Sequence, residues 1–219
     1  MMGLVGSEEA CTRMIVRSVM IEDVTTVLPD DTLQHAYDVI QTKRYECLPV
    51  KDANSCLVGI IQLIDIFEAC MKEGRQVALP RKVKEVMVTN IVTITPDELI
   101  ERAAKIMQQR DIPLLPVVED CVLKGVIHES DLFKAMSEML GVDSNTTRLT
   151  LIVPDRKGQL ARIAEIIRDA GVSITHVATF HSKVLEQYKV VVRVETESAR
   201  PLVELLEQHG YKVINVTVD

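Results

Sequence analysis

An α+β fold in two parts is predicted by three features of the sequence. One motif is spelled twice, the apolar residues are almost all aliphatic, and the final third has its own order of elements. The motif reads GIIQLIDIFEA at residues 59–69 and GVIHESDLFKA at residues 125–135, 66 positions apart. In both copies a Gly opens an apolar pair and an Asp follows six positions after it. Self-similarity at a fixed spacing marks a supersecondary unit used more than once.

The repeat extends upstream at an offset of 67. Val19-Met20 matches Val86-Met87, Thr26-Val27 matches Thr93-Ile94, Pro29-Asp30 matches Pro96-Asp97, and Pro49-Val50 matches Pro116-Val117. Each copy begins with a short β segment (Thr25–Val27; Val92–Ile94) that ends at Pro. Pro-Asp then predicts a helix start, where a carboxylate is favoured. Leu33, Ala36, Tyr37, Val39 and Ile40 follow helical spacing, as do Ile100, Ala103, Ala104, Ile106 and Met107. A strand through Leu48–Val50 or Leu115–Val118, a hairpin turn and a second strand (Leu57–Leu63 or Leu123–His128) come next. A last helix is expected to begin around Asp65 or Asp131. A single β-α-β-β-α unit buries little, so the two should form one body.

Composition narrows the class of protein. With 219 residues, 47% of them hydrophobic, the chain has room for real cores, and 3% aromatics and no Trp make those cores aliphatic. The net charge is −7, against the basic footprint a nucleic-acid binder needs. Residues 14–141 hold 14 basic and 20 acidic side chains, whereas residues 142–219 hold 10 of each. The five Cys residues form no C-x-x-C pair, which reads as free thiols in a reducing cytoplasm. No apolar run approaches the ~20 residues that cross a bilayer. Residues 1–13 read as a flexible tail without a signal sequence, with Met14 an alternative start.

Together these residues resemble a tandem pair of CBS (cystathionine-β-synthase) domains. The elements are the V-M start, the T-V-x-P-D turn, the L-P-V strand and the Asp six residues after Gly, each present twice and in order. The resemblance implies CBS domain 1 over 14–73, and a linker with CBS domain 2 over 74–141. It also implies adenine nucleotide or nucleoside binding, with AMP, ADP, ATP, S-adenosylmethionine and NAD not distinguished. By the same resemblance Asp65 and Asp131 occupy the family's ribose position, and the backbone around Thr26 and Thr93, with Leu48 and Leu115 before Pro49 and Pro116, would frame the base. The family often has Thr or Ser three residues before that Asp, where Gln62 and His128 stand here. It often has Gly five residues before the Pro of L-P-V, where Arg44 and Asp111 stand, and Arg44 is placed to meet phosphate. The alternative role for Asp65 and Asp131 is helix N-capping alone. The basic run Lys72, Arg75, Arg81, Lys82 and Lys84 reads as a solvated connection.

Residues 142–147 (VDSNTT) are a turn-rich linker. The order over 148–219 is βαββαβ, the ferredoxin-like arrangement. It runs from strand Leu149–Val153 through a helix over 160–167, strands at 172–181 and 187–196 and a helix over 199–208 to a strand at 211–218. P-D-R-K-G-Q-L before the helix, and A-G-V-S-I after it, resemble an ACT domain. That resemblance implies amino-acid sensing at Asp155, Gly158, Gln159 and Leu160, with backbone amides of the Gly158 turn facing a carboxylate. Ser173 stands where many amino-acid-binding members have Asn. The whole order, with M-I-V-R-S-V-M from Met14 and D-L-F-K-A-M-S-E-M-L-G-V-D at 131–143, resembles the bacterial acetoin-utilisation protein B family.

No hydrolase, zinc-protease or P-loop motif is present, and the five His residues show no metal-ligand spacing, so neither catalysis nor a metal is expected. The expected function is allosteric: a cytoplasmic homodimer that binds small-molecule effectors and controls an unidentified partner enzyme, without nucleic acid or membrane. The dimer contact is expected at Ile64–Met71 and Leu132–Leu140. The alternative is a dimeric scaffold with degenerate sites that only assembles protein partners.

Overall fold

The computed structural model describes residues 14–142, 145–182 and 187–218. The expected tail at 1–13, with Cys11, and part of the expected linker lie outside the described residues. The chain divides into two compact units, with the boundary between Phe133 and Lys134.

In the first unit the repeat becomes structure twice. Its first copy contains α1 (Leu33–Lys43), β1 (Cys47–Lys51), β2 (Leu57–Gln62), α2 (Leu63–Glu73) and a one-turn α3 (Arg75–Ala78). The second contains α4 (Ile100–Arg110), β3 (Leu114–Glu119), β4 (Val122–His128) and the first turn of α5 (Glu129–Met139), the helix in which the boundary falls. Each leading β segment is one parallel bridge, Val27 to Val50 and Ile94 to Val117. Both hairpins are antiparallel and shift register at equivalent places, Val50/Lys51 and Val117/Val118.

Two details depart from expectation. Helices α1 and α4 start at Leu33 and Ile100, three residues after the Pro-Asp pairs rather than at them. Thr32 caps α1 by accepting the His35 N–H at 3.2 Å. Asp30 and Asp97 instead take cations: Lys82 and Lys84 reach Asp30 at 2.9 and 2.8 Å, and Arg17 reaches Asp97 at 3.3 Å. The two Lys hydrogen bonds hold the Asp30 carboxyl down at about 2. Arg81 pairs with Glu73 and Glu85, so much of the basic run ties the connection to the fold.

The two copies are joined by reciprocal exchange. Ile21, just after the first V-M, exchanges backbone hydrogen bonds with Val126 of β4 (2.9 and 3.0 Å), and Val88, after the second V-M, does the same with Ile60 of β2 (2.8 and 2.9 Å). The short 3₁₀ turns Val16–Ser18 and Val83–Glu85 dock in the same crossed way. Val16 N–H donates to Glu98 O and Val83 N–H to Asp31 O, both at 2.8 Å. Val83, Val86 and Met87 consequently belong to the core of the first copy, with Leu33, Ile40, Leu48, Val50, Ile61 and Ile66. Cys47, Leu114 and Val126 form a smaller shared cluster with Val24 and Ile60.

The repeated Gly explains itself at these crossings. A Cβ on Gly125 would lie 2.7 Å from the Ile21 carbonyl oxygen, and one on Gly59 would overlap the Met87 side chain. The two hairpin turns also meet: Leu57 N–H donates to Cys121 O at 2.9 Å, and Leu123 N–H to Ser55 O at 3.1 Å. There Cys56 and Cys121, with Cα atoms 4.9 Å apart, form a disulfide. This corrects the expectation of five free thiols. The two Cys sit in equivalent turns that the crossed pairing brings together, which spacing along the chain does not reveal. Cys47 and Cys70 are free.

In the second unit the final third builds β5 (Thr147–Pro154), α6 (Gln159–Asp169), β6 (Ser173–Ser182), β7 (Gln187–Glu195), α7 (Arg200–Gln208) and β8 (Lys212–Val218). The sheet order is β6-β7-β5-β8, all antiparallel. Leu149, Leu151, Val153, Val190, Val192 and Val194 cluster with Ile163, Ile166, Ile167, Leu202 and Leu206 of the helices. Strand alternation then turns Arg148, Thr150 and Arg193 to the other face. Among the described residues no helix is long and apolar enough to cross a membrane.

Substituting Gly125 tests the crossing. Gly125→Val forces backbone apart and should cost about 1–3 kcal/mol, lowering the unfolding midpoint of the first unit by several degrees. Gly59→Ala should cost less, because the Met87 side chain it meets can yield. Thermal unfolding of the two variants checks this order.

Candidate functional site

Crossed pairing also builds crossed clefts in the first unit. The first cleft takes Asp23, Val24, Thr25, Tyr45, Cys47 and Pro49 from the first copy, and Leu114, Val126 and His128 from the second. It continues into a cavity of about 270 Å³ where Arg44 and Glu46 meet His128, Glu129 and Ser130. The second cleft, about 410 Å³, joins Gln62, Leu63, Ile64 and Phe67 of the first copy to Asp111, Ile112 and Pro113 of the second. Each therefore combines one copy's approach to its L-P-V strand with the other copy's strand-to-helix turn.

Those turns place the two carboxylates. Asp65 Oδ2 accepts the Gln62 N–H at 3.0 Å, and Asp131 Oδ2 accepts the His128 N–H at 2.9 Å. Both lie three residues after the amide they bind. Asp65 is thus the third residue of α2 and closes a capping box with Gln62, not the N-cap itself. Both carboxylates are half-buried. Burial pushes the Asp65 carboxyl up, the Gln62 N–H opposes this, and Glu68 adds to the rise. Asp131 flanks the first cleft, beside Glu129 and Ser130, and Asp65 flanks the second.

The remaining expected residues divide. Arg44 lies in the first cleft. It holds φ 58° at the end of α1, as Asp111 holds φ 53° at the end of α4, and this left-handed position is where Gly is at ease. Thr26 is half-buried beside the cleft residue Thr25, and Thr93 is exposed outside the set lining the second cleft. Leu48 and Leu115 are 0% exposed. Their side chains face the interior, and alternation gives the cleft to Cys47 and Pro49 instead. A period-2 reading of Y-E-C-L-P would have found Tyr45 and Cys47. The Cys47 thiol is pushed up to about 11 by burial, with Glu46 and Asp65 adding to it. It is a neutral wall rather than a nucleophile.

In the second unit the four expected residues come together. Asp155, Gly158, Gln159 and Leu160 line a cavity of about 370 Å³ with Arg156, Lys157, Thr179 and Tyr188. Gly158 has φ 86° at the start of α6, a conformation that costs other residues about 1–2 kcal/mol. His181 Nε2 lies 3.2 Å from Asp155 Oδ2, and the Tyr211 hydroxyl donates to Gln159 Oε1 at 3.0 Å. Sequence reading missed both partners, because His181 arrives from β6 and Tyr211 from the residue before β8, both distant in sequence. Ser173, at the start of β6, is exposed.

Comparison with known proteins agrees with this architecture. The CBS domain family model matches residues 16–72 and 83–138, and the ACT domain model matches residues 147–210. A homoserine O-acetyltransferase from Methanohalobium evestigatum is 33% identical over 125 residues, 56% of this chain. The chain spans only 24% of that relative's length. The crystal structure of a putative acetoin utilization protein (AcuB) from Vibrio cholerae is 29% identical, with a TM-score of 0.54 over 59% of this chain and 94% of the other. The structure of CBSX2 in complex with AMP shares the fold at 22% identity, with a TM-score of 0.51 over 57% of this chain and 96% of the other. CBS and ACT domains are regulatory ligand-binding modules. On these matches, and on the crossed repeat that underlies them, the chain belongs to the CBS-domain family, with two CBS domains in tandem followed by an ACT domain.

Proposed function

We propose that this chain is a non-catalytic ligand sensor that binds an adenine nucleotide in its first CBS cleft and transmits occupancy to a partner enzyme. The observation that carries this reading is the unequal chemistry of the two crossed clefts. The first combines Arg44 and His128 with the Asp131 turn, offering a guanidinium and an imidazole to a phosphate and a carboxylate to a ribose diol. The second has Gln62 where His128 stands and Asp111 where Arg44 stands, so it repels phosphate. An adenine nucleoside or a cationic adenosine derivative suits it better.

An amino acid is the proposed ligand of the Gly158 cavity, with backbone N–H groups at the start of α6 receiving its carboxylate. A homodimer is proposed through α2 and α5, where Ile64, Phe67, Met71 and Phe133 are 56%, 46%, 87% and 68% exposed. Ile64 and Phe67 also line the second cleft, so pairing of two chains and ligand binding there would influence each other. The likeness to the Vibrio cholerae protein suggests a partner enzyme in acetoin utilisation or related carbon metabolism.

Thermal unfolding against AMP, ADP, ATP, S-adenosylmethionine, NAD and amino acids tests the reading. A ligand at 100 times its Kd adds about 2.7 kcal/mol, a rise of roughly 5–10 °C for a chain of this size. AMP stabilisation should be lost in Asp131→Ala and reduced at least tenfold in affinity by Arg44→Gln, with Asp65→Ala retaining it. A panel without response would favour the scaffold that only assembles protein partners.

The raised Asp65 carboxyl gives a second test. Its charged form is disfavoured by folding, so the cost is absent below the ordinary carboxylate range and appears as pH rises through the folded-state value. Asn keeps an acceptor for the Gln62 N–H. Asp65→Asn should therefore unfold at or above the wild-type temperature at pH 7.5, with that advantage gone near pH 3, while nucleoside binding in the second cleft is lost. Unfolding midpoints across pH, with calorimetric titration of S-adenosylmethionine, measure both.

A further inference from the structure

The sheet face of the second unit turned away from the helices holds a cavity that no proposed ligand uses. It measures about 230 Å³. Three basic residues line it in one row across neighbouring strands, because His176 pairs with Arg193 and Arg193 pairs with Arg148. Val177, Ala178, Phe180 and Val191 form an apolar wall, and Leu140 and Val142 close another side. No acidic side chain is among the described residues that line it.

The row is chemically unusual for a sheet surface. Two guanidinium groups, Arg148 and Arg193, stand directly opposite one another on adjacent strands. Arg193 is 6% exposed and donates to Thr146 Oγ1 at 3.3 Å. Arg148 is half-buried and donates to a neutral group, Thr150 Oγ1, at 2.9 Å. A guanidinium carries five N–H donors, so Arg148 retains a planar edge for a carboxylate. His176 Nδ1 is buried with no hydrogen-bond partner. Its ring lies so close to Gly141 that a Cβ there would overlap it. That nitrogen faces the chain's own backbone, so the edge of the ring, not Nδ1, is what His176 gives to the cavity wall.

We infer that this cavity binds a small organic monocarboxylate with a short apolar tail. The carboxylate takes the Arg148 fork in the bidentate geometry that guanidinium favours, beside His176, and the tail lies along Phe180, Ala178 and Val191. The apolar wall favours such an acid over an inorganic anion. This site goes beyond the sensor proposed above, since neither the CBS clefts nor the Gly158 turn contributes to it.

Calorimetric titration of the full chain with butyrate, butyramide and inorganic phosphate tests it. Butyrate should bind once per chain, and butyramide and phosphate at least tenfold more weakly. Arg148→Gln should weaken butyrate at least tenfold. Ala178→Leu, which fills the cavity without removing a charge, should abolish binding while the unfolding temperature is kept. Gly158→Val should leave butyrate affinity unchanged. Absence of butyrate binding, equal binding of butyramide, tighter binding of phosphate, or wild-type affinity in both cavity variants would overturn the assignment. So would loss of binding in Gly158→Val alone, which would place the acid at the turn.

Discussion

The first unit depends on one exchange: each copy of the repeat lends its leading segment to the other. Ile21 completes the edge beside Val126, and Val88 completes the edge beside Ile60. Two-stranded hairpins have little stability alone, and these edges would otherwise face water. Trading segments pairs the exposed backbone of both hairpins and moves Val83, Val86 and Met87 into the core of the copy they do not start. Glycine is needed where the trade passes closest, which is why both copies of the repeated phrase open with it. The Cys56–Cys121 bond follows from the same geometry.

The exchange also decides what each cleft contains. Without it, a copy would surround a ligand with its own residues, and two similar copies would yield two similar sites. With it, Arg44 faces His128, while Gln62 faces Asp111. The second copy contributes an acid where the first contributes a base, and crossing concentrates the difference instead of averaging it. Near-symmetry of backbone thus coexists with a difference in charge: Arg44 stands in the first cleft, among Asp23, Glu46 and Glu129, and Asp111 stands in the second.

Repetition made the order of elements readable, because every strand, turn and helix had a second copy to corroborate it. The final third was readable for a different reason: Leu160, Ile163, Ile166 and Ile167 show a clean helical period, and Gly158 and Gly171 mark the ends. The crossed pairing was hidden, since Val19-Met20 and Gly125 carry no sign in sequence of which partner they choose. Leu48 and Leu115 were assigned to the clefts by resemblance, and the alternation of the strand moved the contact to their neighbours. The Pro-Asp pairs suggested helix starts, but the nearby cations from the crossed 3₁₀ turns claimed their carboxylates. Interactions from distant segments, such as Tyr211 with Gln159, have no local signature at all.

The two carboxylates carry a tension that the clefts share. Each one closes the start of a helix, and a carboxylate there is favoured by the exposed N–H groups. For Asp65 burial works the other way and outweighs the Gln62 N–H. Since only Oδ2 makes the capping bond, Oδ1 remains for a ligand hydroxyl. A vicinal diol supplies two donors for such an acceptor, and this is the contact that the proposed ribose-bearing ligand would make.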